Sequence, residues 1–444
     1  MSMRVLLFED NACDDLAPIA LLRPVFELLC GQSCLRSRVR LALPHAEWGV
    51  AVRPWLADVY AEAHYDCRIN DDSWMTQGVT LLVNGRWIPS GELTVESFAD
   101  GLVGIVDSEV AWLVLNGREL AELHGEWESL ADFTSSRSAT DAGGTMIRYP
   151  WDLVRRNSKQ LIRDFTDAGR SQCPSADHVQ CLGDPVDVYV SELAMIDPYV
   201  VIDARGGPVS IGPSVHVQPF TRIEGPCYVG ADSQLFRAHV RAGTTIGAVC
   251  RVGGEVEESI LHGFVTKYHD GFLGHSYVCP WVNFGAMTTT SDLKNNYDDV
   301  KVPLQGEPID TRMNKVGTFF GDHSKTAIDS MFNTGSSIGV MSMVLPGGGL
   351  LPRHVPSFCS TSFGGLSRRW TFESGLEAAR IAMSRRDRQL TPAMESQLRS
   401  VYRLTQEERE RALDRAEQRR TTAISQTVSG HLLPIAGEGT CSSG

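Results

Sequence analysis

From about Val201 to Leu345, small and apolar residues return every six positions. Ile211, Val217, Ile223, Val229 and Leu235 share one phase. After a five-residue step to Val240 the phase runs through Ile246 and Val252, returns at Phe272, Val278 and Phe284, and again at Phe320, Thr326, Phe332, Ile338 and Val344. An amphipathic helix repeats every 3.6 residues and a strand every 2, so a period of six fits neither. It is the signature of a hexapeptide-repeat parallel β-helix, in which three hexads close one triangular coil, an aliphatic residue points inward and small residues turn the corners. A lone coil cannot bury its inner face, so coils must stack and the ends must be capped.

Ahead of the repeats, residues 1–148 read as an α/β domain. Apolar runs at residues 3–8 (MRVLLF), 79–83 (VTLLV) and 111–115 (AWLVL) predict buried strands, and helical patterns between them, including residues 25–43, predict a parallel or mixed sheet. Residues 149–195 predict a connecting helix and linker, the helix opening at Tyr149, Pro150, Trp151 and Asp152. The β-helix is expected over residues 196–356. Residues 357–444 form a helical extension, with helices over residues 370–381 and 394–420, the latter charged and solvated, then a loosely ordered tail. One polar segment, residues 288–319, interrupts the hexads; a segment this long is expected to be functional or disordered, and as a loop protruding from a smooth wall it would reach over a neighbour's groove.

Composition narrows the partners. The chain has 444 residues and a formal net charge of −13, which argues against nonspecific nucleic-acid binding and leaves small molecules as the expected partners. No run of 18 apolar residues exists, and the opening MSMRVLLFEDNACDD turns acidic before a signal-peptide core can form, so no membrane span and a cytoplasmic location are expected. The eleven cysteines contain no CxxC pair, so neither a disulfide framework nor a four-thiolate zinc site is expected.

Reactive side chains concentrate in the repeats: Lys267, Tyr268, His269 and Asp270, then His275, Asn283, Asn295, Asn296 and Tyr297. For acyl transfer to an amine, a neutral imidazole is a suitable general base, and Asn side chains and backbone N–H groups can hold a thioester oxygen as charge develops on it. Two other readings stand beside this one. Any single histidine can be structural, and His262, His269 and His275, spaced by seven and six, could bind zinc on stacked coils as in a β-helix hydratase.

The run GFVTKYHDGFLGHSYVCPWVNFGAMTTTSDLKNNYDDVK at residues 263–301 resembles the acetyltransferase region of the GlmU family, the bifunctional N-acetylglucosamine-1-phosphate uridylyltransferases and glucosamine-1-phosphate acetyltransferases. LLRPVFELLCG (residues 21–31), PWDLVRRN (150–157), VGGEVEESI (252–260) and GDHSKTAI (321–328) resemble a divergent bacterial branch of that family, over nearly residues 1–380. The resemblance implies an α/β nucleotidyltransferase-like N-terminal domain, a left-handed parallel β-helix with C-terminal helices, and a homotrimer. It implies acetyl-CoA as co-substrate, Mg2+ if the N-terminal domain is active, a sugar phosphate and a nucleotide as small-molecule partners, and UDP-N-acetylglucosamine, a cell-envelope precursor, as product. His269 takes the place of the catalytic base. Arg241 matches an arginine that grips the sugar phosphate, Asn283, Asn296 and Tyr297 match sugar contacts, Ala286 a position near acetyl-CoA, and Lys301 is expected as a phosphate partner in the loop, with Lys267 a further substrate-binding candidate.

Three departures accompany it. Phe272 stands where the better-known branch has a Tyr, which removes one hydroxyl contact. Glu257, Glu258 and Ser259 stand where that branch has a lysine pair, so a substrate phosphate would meet carboxylates unless Arg241, Lys267 or Lys301 compensates. The Gly-rich loop of sugar nucleotidyltransferases, whose bare N–H groups approach the triphosphate, is missing: no glycine precedes Gly31. Arg23, Asp10 and Asn84 are the remaining nucleotide-binding candidates, Arg36 is a further nearby cation, and Asp10 or Asp107 could hold magnesium. A noncatalytic sugar- or nucleotide-sensing N-terminal domain on a β-helix scaffold therefore stands beside an active one.

Overall fold

The three apolar runs become the middle of a seven-stranded sheet. Its order is Ser138–Asp141, Leu102–Val106, Glu109–Leu115, Thr80–Asn84, Arg4–Phe8, Glu47–Ala51 and Cys67–Ile69, with only Glu109–Leu115 antiparallel to its neighbours. The computed structural model describes residues 3–430 apart from 92, 94–97, 99–100, 124, 135–136 and 175–178. Residues 25–43 are less helical than their periodicity predicts: a short 3-10 turn and a two-stranded hairpin precede the helix Leu35–Ala42.

The hexads close a three-faced prism of parallel strands, the left-handed β-helix expected from their period. One face stacks nine strands from Val188–Val190 to His354–Val355, with Thr318–Phe320 lying on Ser336–Ile338, eighteen residues on. Ile211, Val217, Ile223, Val229, Leu235, Val240, Ile246 and Val252 are all fully buried in the prism. The phase corrects one position. Phe272 is half-buried on the outside, and Leu273 fills the interior opposite Val256.

The prism is longer than residues 196–356. Val179–Leu182 already pairs with Val200–Asp203, and Ser360–Ser362 adds a last rung that turns back as Gly365–Ser367. The charged C-terminal stretch is two helices, Pro392–Leu404 and Gln406–Gly430, separated at Thr405. It is not wholly solvated: Leu413, Ala412 and Ala416 cover the end of the prism beside Leu366 and Val355, supplying the cap that stacked coils require.

The helix Pro150–Ala168 joins the domains. The Asp152 carboxylate accepts from the backbone N–H groups of Arg148 and Tyr149 at 3.0 Å, and Gly169, at φ 57°, ends the helix in a left-handed turn. Asn157 on its inner face donates to the Gly243 carbonyl and accepts from the Gly31 N–H, so it touches both domains. The inserted segment is only partly a protruding loop. Lys301–Leu304 and Glu307–Asp310 form a hairpin, and Val300, Val302 and Leu304 are buried with Cys13, Leu16 and Ile19 of the N-terminal domain. This part turns toward its own chain rather than over a neighbour's groove.

The described cysteines are free, and among the described residues no helix is long and apolar enough to cross a membrane.

Candidate functional site

Each coil passes from its second face, where Thr266–Lys267 lies on Arg251 and Val252, to its third, where Phe272–Gly274 lies on Glu255–Glu257, through a tight corner. Tyr199, Phe220, Arg237, Gly254, Gly271, Met287 and Asp329 have positive φ there and lie one above another. Backbone hydrogen bonds tie neighbouring corners: Met287 N–H to the Asp270 carbonyl at 3.0 Å and Asp329 N–H to the Ala286 carbonyl at 2.9 Å. His269 sits on this edge, exposed, its ring 5.0 Å from that of Tyr268 at a steep angle. Gly271 has φ 127°, and a Cβ there would fall 2.1 Å from the Thr288 carbonyl oxygen, so the turn carrying His269 needs glycine at that position.

Lys267 does not face a substrate. It pairs with Val252 and fills an inner position of the prism, 2 % exposed, where its ammonium donates to the carbonyls of Gly253 at 2.8 Å and His269 at 2.7 Å. Burial lowers its pKa to about 8. It thus ties the His269 turn to the coil before it. The residue was findable by counting: from Leu261, a step of six lands on Lys267 and another on Leu273.

The other candidates are distributed along the prism. Asn283 is exposed one coil above Thr266, and Ala286 lies in the corner that stacks on Asp270. Asn296 and Tyr297 lie in an exposed turn of the insertion, where Asn296 bonds to Asp298, and Lys301 is exposed at the start of the hairpin. Arg241 is half-exposed and donates to Glu257 at 2.7 Å and Glu255 at 3.3 Å, so its guanidinium already has two carboxylates. Glu258 faces His275 Nε2 at 3.2 Å while Asp292 holds Nδ1 at 2.7 Å. Burial opposes charging His275, but the two carboxylates win and raise its pKa to about 9.

These positions remove the zinc reading. His262 is half-buried with Nε2 2.9 Å from the Glu27 carbonyl, and desolvation and Arg23 lower its pKa to about 3; His275 is held by two carboxylates and His269 is on the outer edge. Among the described residues no three His, Cys, Asp or Glu side chains converge as a metal site.

In the N-terminal sheet, strand order reverses between Arg4–Phe8 and Thr80–Asn84, and the crevice beyond their carboxyl ends is where open α/β sheets bind ligands. A cleft of about 260 Å3 lies there, lined by Asp10, Asn84, Arg86, Glu109 and Trp127. Its charges are used internally. Arg86 donates to both Asp10 oxygens at 2.7 Å and to Glu109, and Asn84 donates to Asp10 at 2.9 Å. Burial opposes ionising Asp10, but Arg86 outweighs it and holds the carboxyl below its usual range. With Asp10 so engaged, and Asp107 exposed on a left-handed turn, the residues do not fit a magnesium site. Arg23 is not available either: it is buried at the domain boundary against Asp322, the Ile19 carbonyl and Cys279 Sγ. Sequence reasoning did not find Arg86 and Glu109 as partners of Asp10, since the three are separated along the chain and only the sheet brings them together.

Residues 5–171 match the sugar nucleotidyl transferase family. A bifunctional sugar-1-phosphate nucleotidylyltransferase/acetyltransferase of Sulfurisphaera tokodaii is 33% identical over 93 residues, 21% of this chain and 23% of that one. Bifunctional protein GlmU of Synechococcus elongatus is 27% identical over 198 residues, 39% of each chain. Over these stretches the chain is similar to GlmU proteins. Bifunctional protein GlmU of Prochlorococcus marinus is 25% identical over 287 residues, 50% of this chain and 58% of that protein. The matches thus span between 23% and 58% of these relatives' length. A solved hexapeptide transferase family protein from Anaplasma phagocytophilum is 16% identical with a TM-score of 0.25, covering 47% of this chain and 95% of that one. The β-helix of this chain rests on its own strand pairing.

Proposed function

We propose that the β-helix transfers an acetyl group from acetyl-CoA to the amine of a hexosamine phosphate such as glucosamine 1-phosphate, with His269 as general base. The observation that carries this reading is the exposed imidazole on a corner held by buried Lys267, one coil from Asn283 and Ala286. The amine nitrogen attacks the thioester carbonyl carbon and a C–N bond forms as the C–S bond breaks. His269 takes the proton the amine sheds, and that proton can pass to the leaving thiolate. We assign Asn283 to the sugar and Ala286 to the acyl carrier. Asn296, Tyr297 and Lys301 are assigned to a groove completed by another protomer of a homotrimer. Supporting that assembly, Tyr199, Phe220, Met287, Ile328, Leu345 and Phe363 leave an exposed apolar ridge on the His269 edge.

A substrate panel on the native chain and on His269→Ala tests the reading. CoA release is expected to fall by roughly 100-fold or more in the variant. A folded, trimeric native chain that releases no CoA with any hexosamine phosphate sinks it.

For the N-terminal domain a second reading is favoured by the Asp10–Arg86–Glu109 network: a noncatalytic module rather than a working sugar-1-phosphate nucleotidyltransferase. A triphosphate there would meet two carboxylates whose cation is already committed. Assays with UTP or dTTP, magnesium and sugar 1-phosphates are expected to give no pyrophosphate. Turnover would restore the bifunctional synthesis of UDP-N-acetylglucosamine and remove this reading.

A further inference from the structure

Arginines that reach the interior of this acidic chain generally meet a carboxylate: Arg23 meets Asp322, Arg36 meets Glu27, Arg53 meets Glu9, and Arg86 meets Asp10 and Glu109. The second face of the prism departs from that. Arg251, Thr266, Asn283 and Lys325 follow one another there on successive coils, Arg251 paired with Thr266, Thr266 with Asn283, and Asn283 with Lys325. The Arg251 Nε is buried and has no hydrogen-bond partner among the described residues. The Lys325 ammonium reaches only as far as the His323 carbonyl, 3.4 Å away, and burial lowers its pKa to about 8. Arg386, from the turn after the helix Phe372–Ser384, comes down over the column and donates to Thr266 Oγ1 at 3.0 Å.

Arg388, from the same turn, stands 5.8 Å from the Phe264 ring. None of these four cations has a carboxylate within ion-pair distance among the described residues. Burial and then the like charge of Arg251 lower the pKa of Arg386, so the two guanidiniums feel one another. Holding like charges together away from water is unfavourable unless an anion joins them, and guanidinium and ammonium groups are the donors that phosphate oxygens take.

We propose that Arg251 and Arg386 form a phosphate-binding site on the second face, over Thr266 and roofed by the turn of the C-terminal helices. It takes a phosphate group, carried by either the acceptor sugar or the acyl carrier; the choice of these two ligands rests on the acyl-transfer reading, but the anion site does not. It also supplies what Lys267, buried in the prism, and Arg241, engaged by Glu255 and Glu257, do not offer.

Calorimetric titration of the full chain tests it, using Arg251→Gln and Arg386→Gln, with Arg380→Gln as control. Arg380 lies on the helix before that turn and is already paired with Glu377 and Glu395, and its loss changes net charge equally. The probes are CoA, dephospho-CoA, glucosamine 1-phosphate, glucosamine and inorganic pyrophosphate. Each of the two site variants is expected to weaken a phosphate-bearing probe by about tenfold, the loss of one charge-assisted contact, while the control leaves it unchanged. A loss for CoA but not dephospho-CoA assigns the site to the carrier's 3′-phosphate. A loss for glucosamine 1-phosphate but not glucosamine assigns it to the acceptor. If the chain acylates nothing yet pyrophosphate binding still weakens in both variants, the acyl-transfer reading falls and the anion site stands. Folded variants that bind every phosphate-bearing probe as tightly as the native chain overturn the proposal, as does a native chain that binds none.

Discussion

Arg86 shows how one side chain decides the chemistry of a cleft. Its side chain is 2% exposed and satisfies Asp10, Glu109 and the Ile147 carbonyl together. Removing one partner of a buried ion pair leaves the other charges stranded. Arg86→Ala is therefore expected to destabilise the chain by roughly 3–5 kcal/mol, and Arg86→Lys to recover little of it because an ammonium cannot reproduce the planar fork. Urea denaturation measures both; a loss in Arg86→Ala of under about 1 kcal/mol would show that the network does not hold the cleft. Lys267 teaches the complementary lesson. Its charge and its place beside His269 suggest a phosphate partner, but position in the repeat outranks charge: the long stem fills the prism while the ammonium finds carbonyls.

At the scale of elements, the inserted segment is anchored at its base by His275, held between Asp292 and Glu258. Val316 N–H donates to the Asp292 carbonyl and Gly317 N–H to the His275 carbonyl, so the clamp lies where the chain rejoins the prism. The folded pKa of His275 is raised from 6.5 to about 9. Its contribution to stability is thus fully present below about 6.5 and is lost as pH rises through about 9. Asp292 and Glu258 are depressed, burial notwithstanding for Asp292, so their contributions are lost instead as pH falls through their lowered values. Amide exchange at Val316 and Gly317, corrected for intrinsic rates, is expected to lose protection between neutrality and about pH 9.5, and His275→Gln to flatten that dependence. An unchanged native profile across this interval would exclude the clamp as an anchor.

Over the whole molecule, the two domains share a core. Cys13, Leu16, Ile19 and Val25 of the first pack with Ile260, Tyr277, Val302 and Phe319 of the second, and Arg23 crosses to Asp322. The helices Phe372–Ser384 and Pro392–Leu404 bind both, packing on Met341 and Phe358 and on Leu21, with Gln397 donating to the Leu22 carbonyl. What remains uncovered is the ridge beside His269, where Phe220 is 70%, Ile328 63% and Met287 54% exposed. A homotrimer would bury it. Analytical ultracentrifugation is expected to show a trimer for the native chain and dissociation for the double variant Met287→Asp, Ile328→Asp, with acyl transfer falling in parallel. A monomeric native chain with full transferase activity would refute the assembly.

The sequence alone determined the prism, because an inward position recurring every six residues is a local pattern that no neighbour can alter. It determined the sheet's apolar strands for the same reason, and it placed His269 among residues resembling a transferase site. Tertiary structure decided what the charged side chains do. Lys267 turned inward, Arg241 met Glu255 and Glu257, Arg23 crossed to the other domain, and Arg86 met Asp10 and Glu109. The pair of Arg251 and Arg386, without a carboxylate between them, likewise exists only after the coils are stacked and a C-terminal turn is laid across them. An apolar residue needs only to leave water, so its period suffices; an ionic one needs a particular partner, and only the folded chain supplies or withholds it.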